Sequence, residues 1–143
     1  IDSAAGRTLV GIHVRRGDYL TSSDYYSVCG LDYYRAAMAA AVGARDPLFL
    51  FFSDDLEWCR DNLKAPGESV YVDWNRGEAS WADMWLMRAC GALVVANSSF
   101  SWWSAWLGER EGRRVLAPSR WFLGRTRDNP DIVPPTWERV GRA

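Results

Sequence analysis

The sequence predicts an α/β fold: a parallel sheet of about five strands with helices on both faces. Three observations lead there. Short, continuous apolar runs recur along the chain, the pattern of strands buried on both faces. Segments with helical spacing separate these runs, so neighbouring strands are joined by crossovers and run parallel. The 143 residues are 48% hydrophobic, which suits one domain burying about two-thirds of the surface its unfolded chain would expose.

Residues 9–14 (LVGIHV) read as the first strand. Residues 31–42 (LDYYRAAMAAAV) are alanine-rich, and Tyr34, Ala37, Met38 and Ala41 recur at helical spacing. Asp46-Pro47 breaks the chain before the second strand, residues 48–52 (LFLFF). Ser53, Asp54 and Asp55 suit an N-cap and first turn, and Leu56, Cys59 and Leu63 lay a second helix on the sheet. Residues 69–72 (SVYV) form the third strand. Ser80-Trp81-Ala82-Asp83 resembles a capping box, with aspartate in the glutamate's place, and opens a helix running to about Cys90. Residues 92–96 (ALVVA) are the fourth strand. Ser98 and Ser99 can cap a fourth helix, residues 100 to about 109, and residues 113–117 (RRVLA) are a fifth strand stopped by Pro118. The remainder, with Asn129-Pro130 and Pro134-Pro135, reads as loop, with Trp137 packing back on the body. The chain shows no repeat, linker or low-complexity segment.

Composition narrows the function. A net charge of −1 argues against a nucleic-acid domain. The basic residues are spread out, apart from Arg15-Arg16, Arg113-Arg114 and a weaker group of Arg120, Arg125 and Arg127. That distribution suits a small anionic ligand better than a polyanion. Cys29, Cys59 and Cys90 are far apart and odd in number, and the chain has one histidine. A zinc site is therefore not expected, and reduced core cysteines slightly favour a reducing compartment. No apolar run approaches the roughly 20 residues that cross a bilayer, and no signal peptide is present. The chain begins at Ile1 without methionine and enters a strand almost at once, which predicts a larger parent protein.

Polar residues cluster where strands end and helices begin, where open α/β sheets bind ligands. The first strand ends in His13, Arg15 and Arg16, and the second in Ser53, Asp54 and Asp55. The third ends in Asp73, Trp74 and Asn75, and the fourth in Asn97, Ser98 and Ser99. Caps and short loops are polar in any case, which accounts for Ser53, Asp54 and Asp55. It does not account for two adjacent arginines leaving a buried strand.

In His13-Val14-Arg15-Arg16-Gly17-Asp18, strand alternation puts His13 and Arg15 on one face and Arg16 on the other. A guanidinium near a strand end needs an anion, and its fork suits phosphate oxygens. Gly17 would let the backbone turn sharply beside the ligand. A purely structural pairing of Arg16 with Asp18 or Asp83 is the alternative. The expected division has one arginine meeting phosphate and the other organising the loop.

Asn97-Ser98-Ser99 precedes a helix whose N-terminus offers free N–H groups and partial positive charge to phosphate. An ordinary serine cap is the alternative. Asp83, the only acid in the helix WADMWLMRAC, is either a helix-start carboxylate or an acceptor for a guanine edge. Trp102, Trp103 and Trp106 make the fourth helix apolar nearly all round, which predicts burial in the core or against another domain. Trp74 and Trp121, in loops at strand ends, are candidates for ligand or interdomain contact. No GxxxxGK[ST] loop, GxGxxG fingerprint or DxD pair is present. A diphosphate would therefore be held by arginines rather than a metal.

The segments VGIHVRRGDYL, FFSDDLEWCRDN, DMWLMRACGALVVANSSFSWWSAWL and RRVLAPSRWF, in this order, resemble the α-1,2-fucosyltransferase family, glycosyltransferase family eleven. NSSFSWW looks more like the bacterial branch. The resemblance implies a GT-B-type architecture of two Rossmann-like halves, of which residues 1–143 match the C-terminal, GDP-fucose-binding half. The N-terminal, acceptor-binding half would be absent.

The resemblance further implies inverting transfer of L-fucose from GDP-β-L-fucose to the 2-hydroxyl of a galactoside acceptor, without metal or other cofactor. By motif position Arg15 would hold the β-phosphate with His13 beside it. Asn97, Ser98 and Ser99 would complete the cradle, and Asp83 would contact guanine. Arg16 and Asp18 would support the arginine loop. For the general base, Asp18, a residue of the missing half, or no base at all are the alternatives. The half alone would bind donor without turning it over. The partners implied are GDP-fucose, a galactose-terminated glycan and the missing domain. The place implied is the cytoplasm or inner-membrane periphery in a bacterium, or the Golgi lumen in a eukaryote. Another linkage, α-1,6 or protein O-fucosylation, and a non-catalytic sugar- or partner-binding module are the competing readings.

Overall fold

A computed structural model describes residues 6–21, 28–43, 46–122 and 130–141. Ile1, Arg125, Arg127 and Asn129 lie outside these described residues. Six parallel strands form one sheet: β1 (Thr8–Val14), β2 (Pro47–Ser53), β3 (Glu68–Tyr71), β4 (Ala92–Val94), β5 (Arg114–Pro118) and β6 (Glu138–Val140). Their order is β3-β2-β1-β4-β5-β6. That order starts in the middle and winds outward both ways, the doubly wound Rossmann arrangement, with its switch point between β1 and β4.

The register pairs His13 with Phe52 on one side of β1 and Ile12 with Val94 on the other. The carboxyl ends of β1, β2 and β4 therefore open on one edge. The four helices are α1 (Leu31–Ala41), α2 (Leu56–Asn62), α3 (Trp81–Ala89) and α4 (Ser99–Leu107).

Strand alternation divides the core in two. Val10, Ile12 and Val14 of β1, with Phe49 and Phe51 of β2, meet Tyr34, Met38, Cys59 and Leu63 of α1 and α2. On the other face Phe52, Leu93, Val95, Val115 and Ala117 meet Met87 of α3 and Ala105 of α4. The three cysteines are free and buried, and burial pushes their thiols up to about 11 or 12. Among the described residues no helix is long and apolar enough to cross a membrane.

Several expectations are corrected. The sheet has six strands rather than about five, because residues 138–140 pair with β5 where a loop was expected. Trp137 just before them is buried, as expected. The capping box at Ser80 does not form. A 3-10 turn, Gly77–Ala79, delivers Ser80 already in helical geometry with no side-chain cap bond, and Asp83 accepts from Asn75 instead.

Of the α4 tryptophans only Trp102 packs against the core, half-buried, with its Nε1 donating to the Ile132 carbonyl at 2.6 Å; burial of the others against another domain would take a surface outside this chain. Trp103 and Trp106 are 50% and 45% exposed. α4 turns one side to the sheet and α3, and a ring of apolar residues on a helix exceeds what one contact face covers. Trp121 is buried in the core rather than offered to a ligand, while Trp74 is exposed.

Candidate active site

The polar carboxyl edge surrounds an open cleft of about 450 Å³ at the switch point. That volume is in the range of small-ligand pockets. His13 and Arg15 at the end of β1, Ser53 and Asp54 at the end of β2, and Asp73, Asn75 and Arg76 after β3 line it. Asp83 of α3 and Phe100 of α4 complete the wall.

His13 is 4% exposed and its ring lies 5.7 Å from that of Phe100. Burial, with a smaller contribution from the Arg15 charge, pulls its pKa down to about 3, so the ring is neutral near pH 7. Its Nδ1 is buried, with no hydrogen-bond partner among the described residues. The neutral ring lines the cleft, where an imidazole can donate or accept a hydrogen bond without carrying charge.

Arg15 and Arg16 diverge as strand alternation requires. Arg15 donates from Nε and Nη2 to the two oxygens of Asp18, at 2.9 and 3.0 Å, and its Nε lies 3.3 Å from Asp54. The hydrogen bond from Arg15 holds the Asp18 carboxyl below the usual range. Arg16 faces away from the cleft. It stacks 3.7 Å over the Trp58 ring and meets Asp55 at 3.4 Å. The structure thus joins Arg15 to the cleft and Arg16 to the start of α2. The pairing of Arg16 with Asp18 or Asp83 does not occur.

Asp54 and Asp55 also separate. Asp55 is the N-cap of α2, accepting from Trp58 N at 3.1 Å. Asp54 accepts from the backbone N–H groups of Arg16 and Gly17, each at 2.9 Å. Gly17 itself has φ −44° and ψ −73°, a right-handed conformation open to any residue, so no sharp glycine turn is needed there. Its requirement is proximity, because a Cβ would lie 2.9 Å from Asp54 Oδ2.

The turn before α4 comes to the same edge. Tyr19 lies under Arg15, 5.9 Å from guanidinium carbon to ring centre, and its hydroxyl donates to the Asn97 carbonyl at 3.1 Å. Asn97 is buried and inward-facing: its amide donates to Trp121 O at 3.0 Å and its side-chain oxygen accepts from Cys29. Ser98 is the N-cap of α4, accepting from Phe100 N at 3.3 Å, and Ser99 is the exposed first residue of the helix. Phe100, not either serine, lines the cleft.

In the cleft wall opposite Arg15, Asn75 donates to Asp83 at 2.9 Å, and burial raises the Asp83 pKa. Asn75 stood in the sequence only as one of the polar residues ending the third strand, and Arg76, Tyr19 and Phe100 were not singled out. The Asp-Asp doublet was the one available signal for Asp54, since a single aspartate suffices for a cap. Among the described residues no three His, Cys, Asp or Glu side chains stand together as metal ligands.

Comparison with known proteins bears on this arrangement. The family described as Glycosyl transferase family 11 matches residues 2–139. The chain is 35% identical over 117 residues to an O-antigen biosynthesis glycosyltransferase, WbnK, of Escherichia coli, covering 79% of this chain and 39% of that one. It is 35% identical over 136 residues to an alpha-1,2-colitosyltransferase of Escherichia coli, covering 92% and 47%. It is 35% identical over 112 residues to galactoside alpha-(1,2)-fucosyltransferase 1 of Leontocebus fuscicollis, covering 71% and 29%. The chain thus spans less than half the length of each of these relatives. No solved structure gives a significant match.

Proposed function

The chain belongs to glycosyl transferase family 11, and from that premise we propose that it is the donor-binding domain of a transferase for fucose or a closely related sugar, with GDP-β-L-fucose as donor. One observation carries the reading. Arg15 borders a cleft at the β1–β4 switch point, on the edge where the capped start of α4 also lies. A guanidinium and a helix N-terminus on one edge suit a diphosphate. The Asp83–Asn75 pair in the same cleft offers a carboxylate acceptor for the N–H edge of guanine.

The reaction would invert the anomeric centre: the 2-hydroxyl of a galactoside attacks C1 of the fucosyl group, the C1–O bond to GDP breaks, and the hydroxyl proton passes to a base of the N-terminal half or, without a base, to solvent. Charge accumulates on the departing diphosphate. Arg15 and the N–H groups opening α4 stabilise it electrostatically, without a metal. His13, neutral and in the cleft wall, hydrogen-bonds the donor beside Arg15 rather than carrying charge. Asp18, exposed and engaged by two arginine donors, suits loop support better than proton abstraction. The acceptor site would belong to an N-terminal half outside this chain. The likeness to a colitosyltransferase over 92% of the chain favours a second reading of the donor, a sugar other than fucose in the same cleft.

Calorimetry on the 143-residue chain tests the assignment. GDP is expected to bind, guanosine to bind more weakly, and free fucose to give no heat. Binding of oligosaccharide without any binding of GDP would replace this reading with a lectin-like module.

A further inference from the structure

The loop after β1 carries Arg15, and the partners of that loop differ in what they tie it to. Asp18, its bidentate partner, lies three residues on in the same loop and moves with it. Tyr19, also in the loop, donates its hydroxyl to the Asn97 carbonyl just past β4. Asp54 is different, because it comes from the junction of β2 and α2. Its Oδ1 accepts from Arg16 N and its Oδ2 from Gly17 N, and Oδ2 also lies 3.3 Å from Arg15 Nε. One carboxylate thus ties three consecutive loop residues to the neighbouring strand. The absent side chain of Gly17 leaves room for it.

We propose that Asp54 is the positioning residue for Arg15, holding the guanidinium by its Nε side so that its remaining donors face the diphosphate. This rests on reading the cleft as a GDP site. The opposite expectation has a physical basis too. A carboxylate bordering a diphosphate site repels the ligand. Two successive N–H groups released from Asp54 could also receive a phosphate oxygen themselves. If Asp54 were a bystander or a placeholder, neutralising it would tighten GDP binding. If it positions Arg15, the same change weakens binding. The sign of the effect separates the two.

The experiment is a calorimetric double-mutant cycle on the 143-residue chain with GDP and guanosine as ligands. It uses Asp54→Ala, Asp54→Asn, Arg15→Ala and the corresponding doubles, each with a thermal melt. Asp54→Ala should weaken GDP roughly 10- to 100-fold, the size of a lost charge-assisted contact. Guanosine, which lacks phosphate, should be unaffected within about twofold, a selectivity that general loss of structure would not produce. Asp54→Asn keeps one acceptor oxygen and should fall between, and it carries the cycle if Asp54→Ala fails to fold. With Arg15→Ala already present, either Asp54 change should add nothing. Unchanged or tighter GDP binding in Asp54→Asn, or full additivity with Arg15→Ala, would overturn the proposal while leaving the GDP site standing. Failure of the parent chain to bind GDP would overturn both.

Discussion

Two arginine doublets stand at opposite edges of the same sheet. Arg15-Arg16 leaves β1 at the carboxyl edge, and Arg113-Arg114 enters β5 at the amino edge, where α3 and α4 end. Arg113 gives Nε to the Cys90 carbonyl at 3.0 Å, Nη1 to Ala105 at 2.7 Å and Nη2 to Met87 at 2.9 Å. Arg110 adds bonds to the carbonyls of Arg88, Ala89, Cys90 and Gly108. These are the orphan carbonyls that helix C-termini leave. Burial, with the Arg110 charge next, pulls Arg113 down to about 10, so it remains a cation near pH 7.

Arg15, by contrast, meets carboxylates through Nε and Nη2 only, and its Nη1 has no partner among the described residues. A guanidinium whose three nitrogens all bond helix-end carbonyls is committed on every side to the fold. One steadied by carboxylates along one side keeps donors in reserve.

Exchanging the two losses is the sharpest way to break this comparison. Arg113→Ala should lower stability by about 3 kcal/mol, because half-buried carbonyls at the ends of two helices lose their partner together. GDP affinity of the folded fraction should not change. Arg15→Ala should leave the melting temperature within a few degrees and weaken GDP roughly 100-fold. Denaturant unfolding and calorimetry on both variants settle it. An Arg15→Ala chain that binds GDP normally, or an Arg113→Ala chain that unfolds normally, removes the distinction.

Sequence alone marked Arg15-Arg16, which leaves a strand at its carboxyl end, but left Arg113-Arg114 with no role beyond opening the fifth strand. It also exposed the first five strands along the chain, because runs such as LFLFF have no other stable environment than a sheet covered on both faces. The edge on which polar residues gather followed from that. The rest depended on facts no local pattern encodes. Glu138–Val140 is three residues long and mostly exposed, so β6 has no apolar signature and exists because β5 offers an open edge. Asp54 and Asp55 are adjacent and chemically identical, yet strand and helix geometry send one to the β1 loop and the other to the α2 cap. Asn97, expected at the ligand, is turned to Trp121 and Cys29. The α4 tryptophans were placed by hydrophobicity, but a helix on one layer has only one inward side, and Trp103 and Trp106 are outside it.

His13 sharpens the contrast through pH, since it is buried beside Arg15 while the Arg113 cluster contains no histidine. Its pKa is about 3 when folded against an ordinary 6.5. Between those values the unfolded chain holds the extra proton, so stability falls as pH drops through that window. The expected loss from pH 7.5 to pH 5 is about 2 kcal/mol. In His13→Gln this part of the slope should vanish. Denaturant midpoints measured at the two pH values for both proteins give the answer, and a slope unchanged in His13→Gln would mean another group is responsible.

The smallest effect expected comes from the second half of the amino-edge doublet. Arg114 meets Glu138 of β6 at 2.7 Å through both Nε and Nη2, but the pair is 38% and 43% exposed. Exposed pairs contribute little even with good geometry, so Arg114→Ala should cost about 0.5 kcal/mol and move the melting temperature by a degree or two. Its effect should be local. β6 is the edge strand, held to the sheet at three residues, so its amides should exchange faster while those of β1 stay protected. Hydrogen exchange resolves the two strands. If Arg114→Ala instead destabilised the chain as much as Arg113→Ala, closing helix ends would not be what sets Arg113 apart, and burial of the doublet as a unit would have to replace it.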